Sequence, residues 1–373
     1  MKVLVAGDFC PTKRVAEKFD KGDCQSVLGD VKTILSNADY SIVNFECPIT
    51  KGNEKPIVKQ GPNLQCSENG VEAVKWTGFN CVTLANNHFR DYGDQGVKNT
   101  LKVCIKNGLD YVGGGENLSE ASRILYKEKN GETLAIINCC EHEFSIATNT
   151  TAGSNPLNPI QQFYELKEAR KKADYVMVIV HGGHELWQLP SPRMVETYRF
   201  FVDAGADAVV NHHQHCFSGY EVYHGKPIIY GLGNFCFDKP GYFSDLWSYG
   251  YMVNINFSNQ ISFEILPYEQ CRNEPKVKLL EDKHGFEGQL KELTSIISNE
   301  KLLAEATLLY YQKSAKITEL VLEPYRGRLL SKLFLMGWLP KLIKKGKLTK
   351  LQNMMMCEAH RDKLMYVINN VNR

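Results

Sequence analysis

The 373-residue sequence predicts an α/β fold built on a substantial sheet and followed by a helical extension. Two observations predict it. Over residues 1–275, short runs rich in β-branched and aromatic residues alternate with amphipathic stretches, which is typical of an α/β domain. From about residue 280, strand signals give way to long helical periodicity. We therefore expect a main domain over residues 1–280 and a helical, basic extension over residues 281–373.

The predicted strands of the main domain are short apolar runs bounded by turn residues. They cover residues 3–6, 40–45, 81–85, 133–138, 175–180, 208–210, 227–230 and 251–257. Amphipathic spacing predicts helices between them, over residues 70–76, 93–107, 159–173 and 192–204. In the extension, the same spacing predicts helices over residues 289–311 and 351–367.

The composition limits the class of protein. A chain that is 43% hydrophobic and 23% charged can bury a core, and its net charge of +2 gives no field that favours nucleic acid as a partner. Twelve cysteines without a C-x-x-C spacing are expected to be reduced, mostly buried thiols. The N-terminus has no apolar signal core, and no window reaches the ~18 apolar residues of a membrane span. We therefore expect a cytoplasmic protein.

Polar side chains follow six of the predicted strands, at the point where each strand ends. Because the loops beyond strand C-termini converge on one crevice in an α/β sheet, these side chains are expected to meet. They are Asp8, Glu46, Asn87 with His88, His181, the cluster His212, His213 and His215, and Asn234.

Carboxylate, amide oxygen and imidazole together suit a divalent ion such as zinc, manganese or iron. Single residues have ordinary explanations, since Asp8 could cap a loop and His181 could be a hydrogen-bonded core histidine. The histidine cluster exceeds what a turn requires, and on a strand end His213 and His215 would point the same way. Glu46 can bridge two cations. We therefore predict a centre for one or two divalent ions.

Seven segments resemble the CapA family of poly-γ-glutamate and capsule-synthesis proteins, which are related to the calcineurin-like metallophosphoesterases. They are GDFC (7–10), NFECP (44–48), LANNHFRDYGDQG (84–96), GGGEN (113–117), HGGHE (181–185), DAGADAVVNHHQH (203–215) and YHGKPIIYGLGNFCFD (223–238). Their order and spacing hold over roughly residues 1–240. The resemblance implies a four-layer α/β/β/α sandwich with a one- or two-metal centre.

The resemblance also implies roles for single residues. Asp8 and His215 would bind a first ion, Glu46 would bridge, and Asn87, His181 and His213 would bind the second. His88 would be the general acid or a donor to the developing oxyanion, and Asp91 would orient it and fix its tautomer. Glu185, His212 and Asn234 would contact the substrate or support the ligands.

Cys10 departs from the pattern of the calcineurin-like enzymes, which carry histidine two residues after the first aspartate. Either the Cys10 thiolate replaces that imidazole, which would favour zinc, or Cys10 is a buried structural thiol. The first ion position is expected to be the weaker one.

Two functions are compatible with these residues. One is a metal-dependent hydrolase that cleaves a phosphoester or a γ-glutamyl amide bond in capsule or surface-polymer biosynthesis, acting on an anionic small molecule or polymer. The other is a non-catalytic, metal-binding assembly factor for an anionic surface polymer.

Residues 325–350 are both basic and apolar. Eight lysines and arginines lie there without an acidic residue, among leucines and Trp338. This mixture is typical of an interfacial segment that contacts anionic lipid at the inner membrane surface. It is equally the pattern of a helical appendage that packs its apolar face inward and keeps its lysines solvated.

Overall fold

The computed structural model describes residues 1–242 and 244–370, and within them the chain forms sixteen strands and thirteen helices. The strands are β1 (Lys2–Phe9), β2 (Tyr40–Phe45), β3 (Cys81–Thr83), β4 (Asp110–Val112), β5 (Gly114–Gly115), β6 (Leu125–Lys129), β7 (Glu132–Cys140), β8 (Gly153–Ser154), β9 (Tyr175–His181), β10 (Ala208–His212), β11 (Tyr220–Tyr223), β12 (Lys226–Ile229), β13 (Asn234–Cys236), β14 (Tyr249–Asn256), β15 (Ser262–Gln270) and β16 (Val277–Leu279).

The helices of the first 303 residues surround these strands, and the later helices follow them. The helices are α1 (Lys13–Asp20), α2 (Cys24–Leu35), α3 (Asn69–Thr77), α4 (Gly93–Lys106), α5 (Leu118–Ala121), α6 (Pro159–Ala169), α7 (Pro192–Asp203), α8 (Asp245–Ser248), α9 (His284–Ile297), α10 (Glu300–Leu322), α11 (Arg328–Leu335), α12 (Lys345–Met356) and α13 (Glu358–Asn370).

Two large sheets form the centre of the fold. The first has eight strands in the order β16-β15-β14-β1-β2-β3-β4, with β13 paired to β1, and the second has six in the order β11-β12-β10-β9-β7-β6. The strands β1, β2, β3 and β4 run parallel, as do β7, β9, β10 and β12. Parallel strands with both faces covered are apolar throughout, and β1 and β9 bury every residue after the first.

The two sheets face each other, and helices cover their outer sides. The ring of Tyr175 on β9 lies 5.5 Å from that of Phe257 at the end of β14, and Nε2 of His212 donates to the carbonyl of Ala6, 3.0 Å away. Helices α1, α2, α3 and α4 pack on the first sheet, whereas α6 and α7 pack on the second. The fold is therefore the expected α/β/β/α sandwich with four layers.

All eight predicted strands coincide with observed strands, and the four predicted helices of the main domain correspond to α3, α4, α6 and α7. The expected helix over residues 289–311 is wrong, because the chain forms two helices there. α9 ends at Ile297, and the side chain of Asn299 accepts from the backbone N–H groups of Lys301 and Leu302, which starts α10. The expected helix over residues 351–367 is likewise interrupted, at the extended backbone of Cys357.

The chain divides into two compact units, Met1–Leu303 and Ala304–Arg373. The strands end at Leu279, close to the predicted division at residue 280, but the first unit continues through α9, which packs against β11. Residues 371–373 of the predicted extension lie outside the described residues. Within the described part of the chain, no helix is both long and apolar enough to cross a membrane.

All twelve cysteines are free thiols, as expected. Ten are buried, and Cys24 and Cys357 are half-buried. Cys10 belongs to the apolar core beneath the first sheet, together with Cys47 and Cys66. Burial raises the pKa of the Cys10 thiol, so the protonated form dominates there.

Gly7 determines how closely β1 approaches the turn before β13. A Cβ at this position would lie 1.9 Å from the carbonyl oxygen of Gly233 and 3.0 Å from the hydroxyl of Tyr268. The same approach lets the backbone N–H of Asp8 donate to that carbonyl at 3.1 Å. Any side chain at position 7 would therefore push apart the two segments that hold Asp8.

We expect Gly7→Ala to lower the free energy of unfolding by about 3 kcal/mol or more, since neither backbone can yield without breaking the pairing of β1 with β13. Urea denaturation followed by circular dichroism measures this loss. Gly288→Ala in α9 is the control, because its Cβ would meet open space and should raise stability by up to about 1 kcal/mol. Equal stability of the two variants would refute this account of Gly7.

Candidate metal centre

The six predicted metal ligands meet at one end of the sandwich, where strands of both sheets terminate. The first sheet supplies Asp8 near the end of β1, Glu46 directly after β2, and Asn87 from the loop after β3. The second sheet supplies His181 at the end of β9 and the two histidines that follow β10. All six side chains are buried.

These side chains form two groups that share Glu46. In one group, Glu46, His181 and His213 have ligand atoms within 4.8 Å of one another, and in the other Asp8, Glu46 and His215 do. Nε2 of His181 and Nε2 of His215 lie 3.7 and 3.6 Å from the same carboxylate oxygen of Glu46. These separations are too long for hydrogen bonds, but they are close to the ~3.4 Å between two ligands of one tetrahedral ion.

Asn87 joins the group that contains His181. The amide oxygen of Asn87 is 3.0 Å from Nε2 of His181, and the same nitrogen is 3.1 Å from Nδ1 of His213. Ligand-type atoms from two loops and from the end of β9 therefore lie close together.

His213 and His215 both face the centre, as predicted. The predicted reason, alternation along a strand, is wrong. Strand β10 ends at His212, and both later histidines have positive φ, 93° for His213 and 56° for His215. A left-handed backbone is strained for a residue other than glycine. This conformation turns the rings of His213 and His215 into the centre. Between them, Gln214 points away and donates to the carbonyl of Trp187.

Glu46 shows how strongly the centre requires a cation. The residue is fully buried, and neither carboxylate oxygen has a hydrogen-bond partner among the described residues. Burial raises its pKa well above the usual value, and the charge of Asp8 adds to the rise. A buried carboxylate without donors is costly unless a proton or a cation neutralises it. The residues present therefore fit a divalent ion.

The histidines do not supply that positive charge. Burial lowers the pKa of His181 well below its usual value, with His213 adding to the effect, and burial also lowers the pKa of His213. Both rings are neutral at neutral pH, which is the state in which imidazole binds a metal. His215 differs, because the hydrogen bond and charge of Asp8 outweigh burial and raise its pKa.

Two asparagines hold the ligands, and the sequence did not indicate a role for the first. Nδ2 of Asn44 donates to Asp8 at 2.8 Å and lies 3.3 Å from Nδ1 of His181, so it fixes a ligand from each sheet. Asn234, predicted to contact substrate, accepts from Nδ1 of His215 at 2.9 Å and donates to two backbone carbonyls. This leaves Nε2 of His215 directed at Glu46.

The other predicted substrate contacts lie in different environments. Glu185 is exposed at the rim, and its charge adds to the effect of burial in raising the pKa of Glu46. His212 is buried between the sheets, and its Nδ1 has no hydrogen-bond partner among the described residues. Glu143, which was not predicted, accepts from Nδ2 of Asn87 at 3.3 Å and is a second acid at the rim. The substrate roles of Glu185, His212 and Asn234 stay predictions.

His88 and Asp91 form the predicted pair beside the centre. Nδ1 of His88 lies 2.6 Å from Oδ2 of Asp91, so the carboxylate fixes the ring and leaves Nε2 as the free nitrogen. Asp91 is completely buried, and it also accepts from the backbone N–H of Leu64 at 2.7 Å.

Lys59 completes this pair, and nothing in the spacing of the sequence distinguishes it from Lys51 or Lys55. Its Nζ lies 2.5 Å from Oδ1 of Asp91 and 3.0 Å from Nδ1 of His88. The Lys59 side chain is only 2% exposed, although the neighbouring Val58 is fully exposed. The loop that carries Lys59 therefore delivers one buried cation to Asp91.

The structure thus defines a four-layer α/β/β/α sandwich with a buried carboxylate–histidine cluster at the strand ends. The chain belongs to the family described as bacterial capsule synthesis protein PGA_cap, whose model matches residues 2–239. The resemblance seen in the sequence is thereby confirmed.

Individual relatives show the same family membership. The chain is 37% identical to the capsule biosynthesis protein CapA of Bacillus anthracis over 247 residues, which is 64% of this chain and 60% of that protein. It is 36% identical to the PGA biosynthesis protein CapA of Bacillus subtilis, with 62% of each chain covered. A solved phosphatase of Mycoplasma pneumoniae aligns with 72% of this chain and 92% of its own, at 17% identity and a TM-score of 0.45. The chain thus spans about 60% of the length of its curated relatives.

We expect Lys59→Met to lower the free energy of unfolding by about 3 to 5 kcal/mol, because it leaves the buried Asp91 carboxylate without its cation. Chemical denaturation measures the change. Lys106→Met is the matched control, since Lys106 contacts Glu68 at an exposed position and its loss should cost less than about 1 kcal/mol.

The double variant Lys59→Met, Asp91→Asn separates charge from packing. Removing the buried negative charge should restore part of the lost stability. If Lys59→Met and Lys106→Met are equally stable, the ion pair does not have the importance assigned to it here.

Proposed function

We propose that the chain is a metal-dependent hydrolase, and one observation carries the proposal. The buried Glu46 carboxylate has no hydrogen-bond partner among the described residues and stands between two groups of metal-type ligands. A structural carboxylate would be satisfied by donors, whereas a carboxylate that bridges cations leaves both oxygens free for them.

The candidate ligands form two groups, one for each of two ion positions. Glu46, Asn87, His181 and His213 would hold one ion, and Asp8, Glu46 and His215 the other. The mixed oxygen and nitrogen ligands suit zinc, manganese or iron. Such ions supply Lewis-acid chemistry, since they lower the pKa of water and neutralise charge on a substrate oxygen.

The chain itself supplies the proton for the leaving group. His88 directly follows the ligand Asn87 in sequence, and Asp91 holds its Nδ1, so Nε2 is the nitrogen that donates. Asp91 orients the ring of His88 for this transfer, and Lys59 holds the Asp91 carboxylate in place. Neither His88 nor Asp91 is needed to hold an ion.

The substrate proposed is a phosphoester or a γ-glutamyl amide on the path to a capsule or another surface polymer. Membership of the capsule synthesis family supports the polymer, and the metallophosphoesterase architecture supports the phosphoester. The rim acids Glu143 and Glu185 would repel a bare anion, so an anionic substrate depends on the ions for its attraction.

Metal binding is tested with Glu46→Gln, which keeps the shape of the side chain and removes its charge. Elemental analysis of the wild-type protein should find divalent ions. Chelation should lower its free energy of unfolding, by about 2.7 kcal/mol if the free metal concentration had been 100 times Kd. Glu46→Gln should lose most of the metal and most of that shift, whereas Glu281→Gln, at an exposed position, should behave as wild type. Wild-type protein that neither contains nor responds to zinc, manganese or iron would overturn the metal centre.

Catalysis is tested with metal-loaded protein on p-nitrophenyl phosphate esters and on γ-glutamyl amides. His88→Ala should lower kcat by about 100- to 10,000-fold while metal content stays that of wild type, because the side chain moves a proton and does not hold an ion. If neither substrate class is cleaved while the protein still binds an anionic polymer, the chain is a non-catalytic assembly factor instead.

A further inference from the structure

The segment of residues 325–350, called here the basic–apolar segment, carries a dense positive charge on its surface. Its eight cations are all exposed, and no acidic residue lies among them. They are Arg326, Arg328, Lys332, Lys341, Lys344, Lys345, Lys347 and Lys350. Among them, only Lys341 has an ion pair that the structure records, with Glu319.

The same segment exposes large apolar side chains. Trp338 is 71% exposed, Leu329 is 69%, and Met336 and Leu342 are 52% each. Within the segment, only Phe334 is buried, at 2%, against the ring of Tyr325. Exposed apolar side chains of this size, interleaved with cations, indicate a surface that contacts another phase or molecule.

The segment is held in a defined shape by contacts within the second unit. Glu323, buried at the end of α10, accepts from the backbone N–H groups of Leu342 and Ile343 at 2.9 and 3.2 Å. The hydroxyl of Tyr325 donates to the carbonyl of Pro340 at 2.6 Å. The Glu323 carboxylate is thus occupied by backbone donors and offers little neutralisation to the lysines.

A cavity of about 770 Å³ opens between the end of α10 and the start of α12. Its cationic lining comes from Arg326, Lys344 and Lys347, and its apolar lining includes Leu322 and Leu342. Positive groups beside apolar walls match a ligand that has an anionic head and an apolar body.

We propose that the basic–apolar segment binds the surface of a lipid bilayer that contains anionic lipid. Lysines and arginines near such a surface are attracted by its negative potential, while Trp and Leu side chains enter the boundary between headgroups and acyl chains. A soluble polyanion would use the cations alone and would leave Trp338 and Leu329 exposed to water. The segment provides both components, so the bilayer is the better match.

The full chain is tested by co-sedimentation with phosphatidylcholine vesicles, with and without phosphatidylglycerol. At low salt, roughly tenfold more protein should sediment with the phosphatidylglycerol vesicles, and high salt should remove most of the difference. The triple variant Lys344→Glu, Lys345→Glu, Lys347→Glu should abolish the preference. A triple variant at exposed lysines of the first unit, Lys21→Glu, Lys51→Glu, Lys291→Glu, changes the net charge equally and should retain it.

Trp338→Ser separates a bilayer from a soluble polyanion. Because its side chain is 71% exposed, the variant should keep the wild-type circular dichroism and thermal unfolding, yet bind the anionic vesicles several-fold more weakly. Vesicle binding unchanged by Trp338→Ser, together with equally strong binding to soluble poly-glutamate, would overturn the proposal in favour of a polyanion. Absence of sedimentation at low salt, or equal losses in the two triple variants, would overturn it as well. None of these measurements depends on metal or hydrolysis.

Discussion

The burial of two carboxylates side by side is the constraint on which the rest of the centre depends. Asp8 lies near the end of β1 and Glu46 directly follows the neighbouring parallel strand β2, and both are nearly inaccessible to water. Burial would raise the pKa of Asp8, but the hydrogen bond and charge of His215, together with the hydrogen bond from Asn44, outweigh burial and keep that pKa below the usual value. Among the described residues, Glu46 has no such donors, so its charge has to be balanced by something that the side chains around it do not provide.

The sandwich places imidazole side chains beside these two carboxylates. The carboxylates come from the first sheet and the imidazoles from the second, so the site exists only when the two sheets are packed face to face. Asn44 spans the gap, since its amide touches Asp8 and His181, which are far apart in sequence. Gly7 permits the close approach of β1 that sets Asp8 in position. Stability of the core and geometry of the centre are therefore coupled through the same few backbone contacts.

The sequence was sufficient to predict eight of the sixteen strands and the meeting of the six candidate ligands, for a physical reason. Buried parallel strands are continuous apolar runs, and a polar residue at the end of such a run stands out. Lys59, Asn44 and Glu143 could not be found this way, because their roles arise from tertiary contacts of ordinary polar residues. The backbone conformation at His213 and His215 could not be predicted from the sequence pattern either. Side-chain alternation assumes a strand, whereas the backbone at these two residues is left-handed. The helix break at Asn299 was missed because the apolar period continues across it.

The position of Cys10 makes the two ion positions unequal. Its thiol lies in the apolar core, where burial raises its pKa, and it belongs to neither group of ligands found within the described residues. The position that contains His181 has four candidate ligands from the protein, including the Asn87 oxygen, whereas the position that contains Asp8 has three. Fewer protein ligands would therefore make the position that contains Asp8 the weaker of the two.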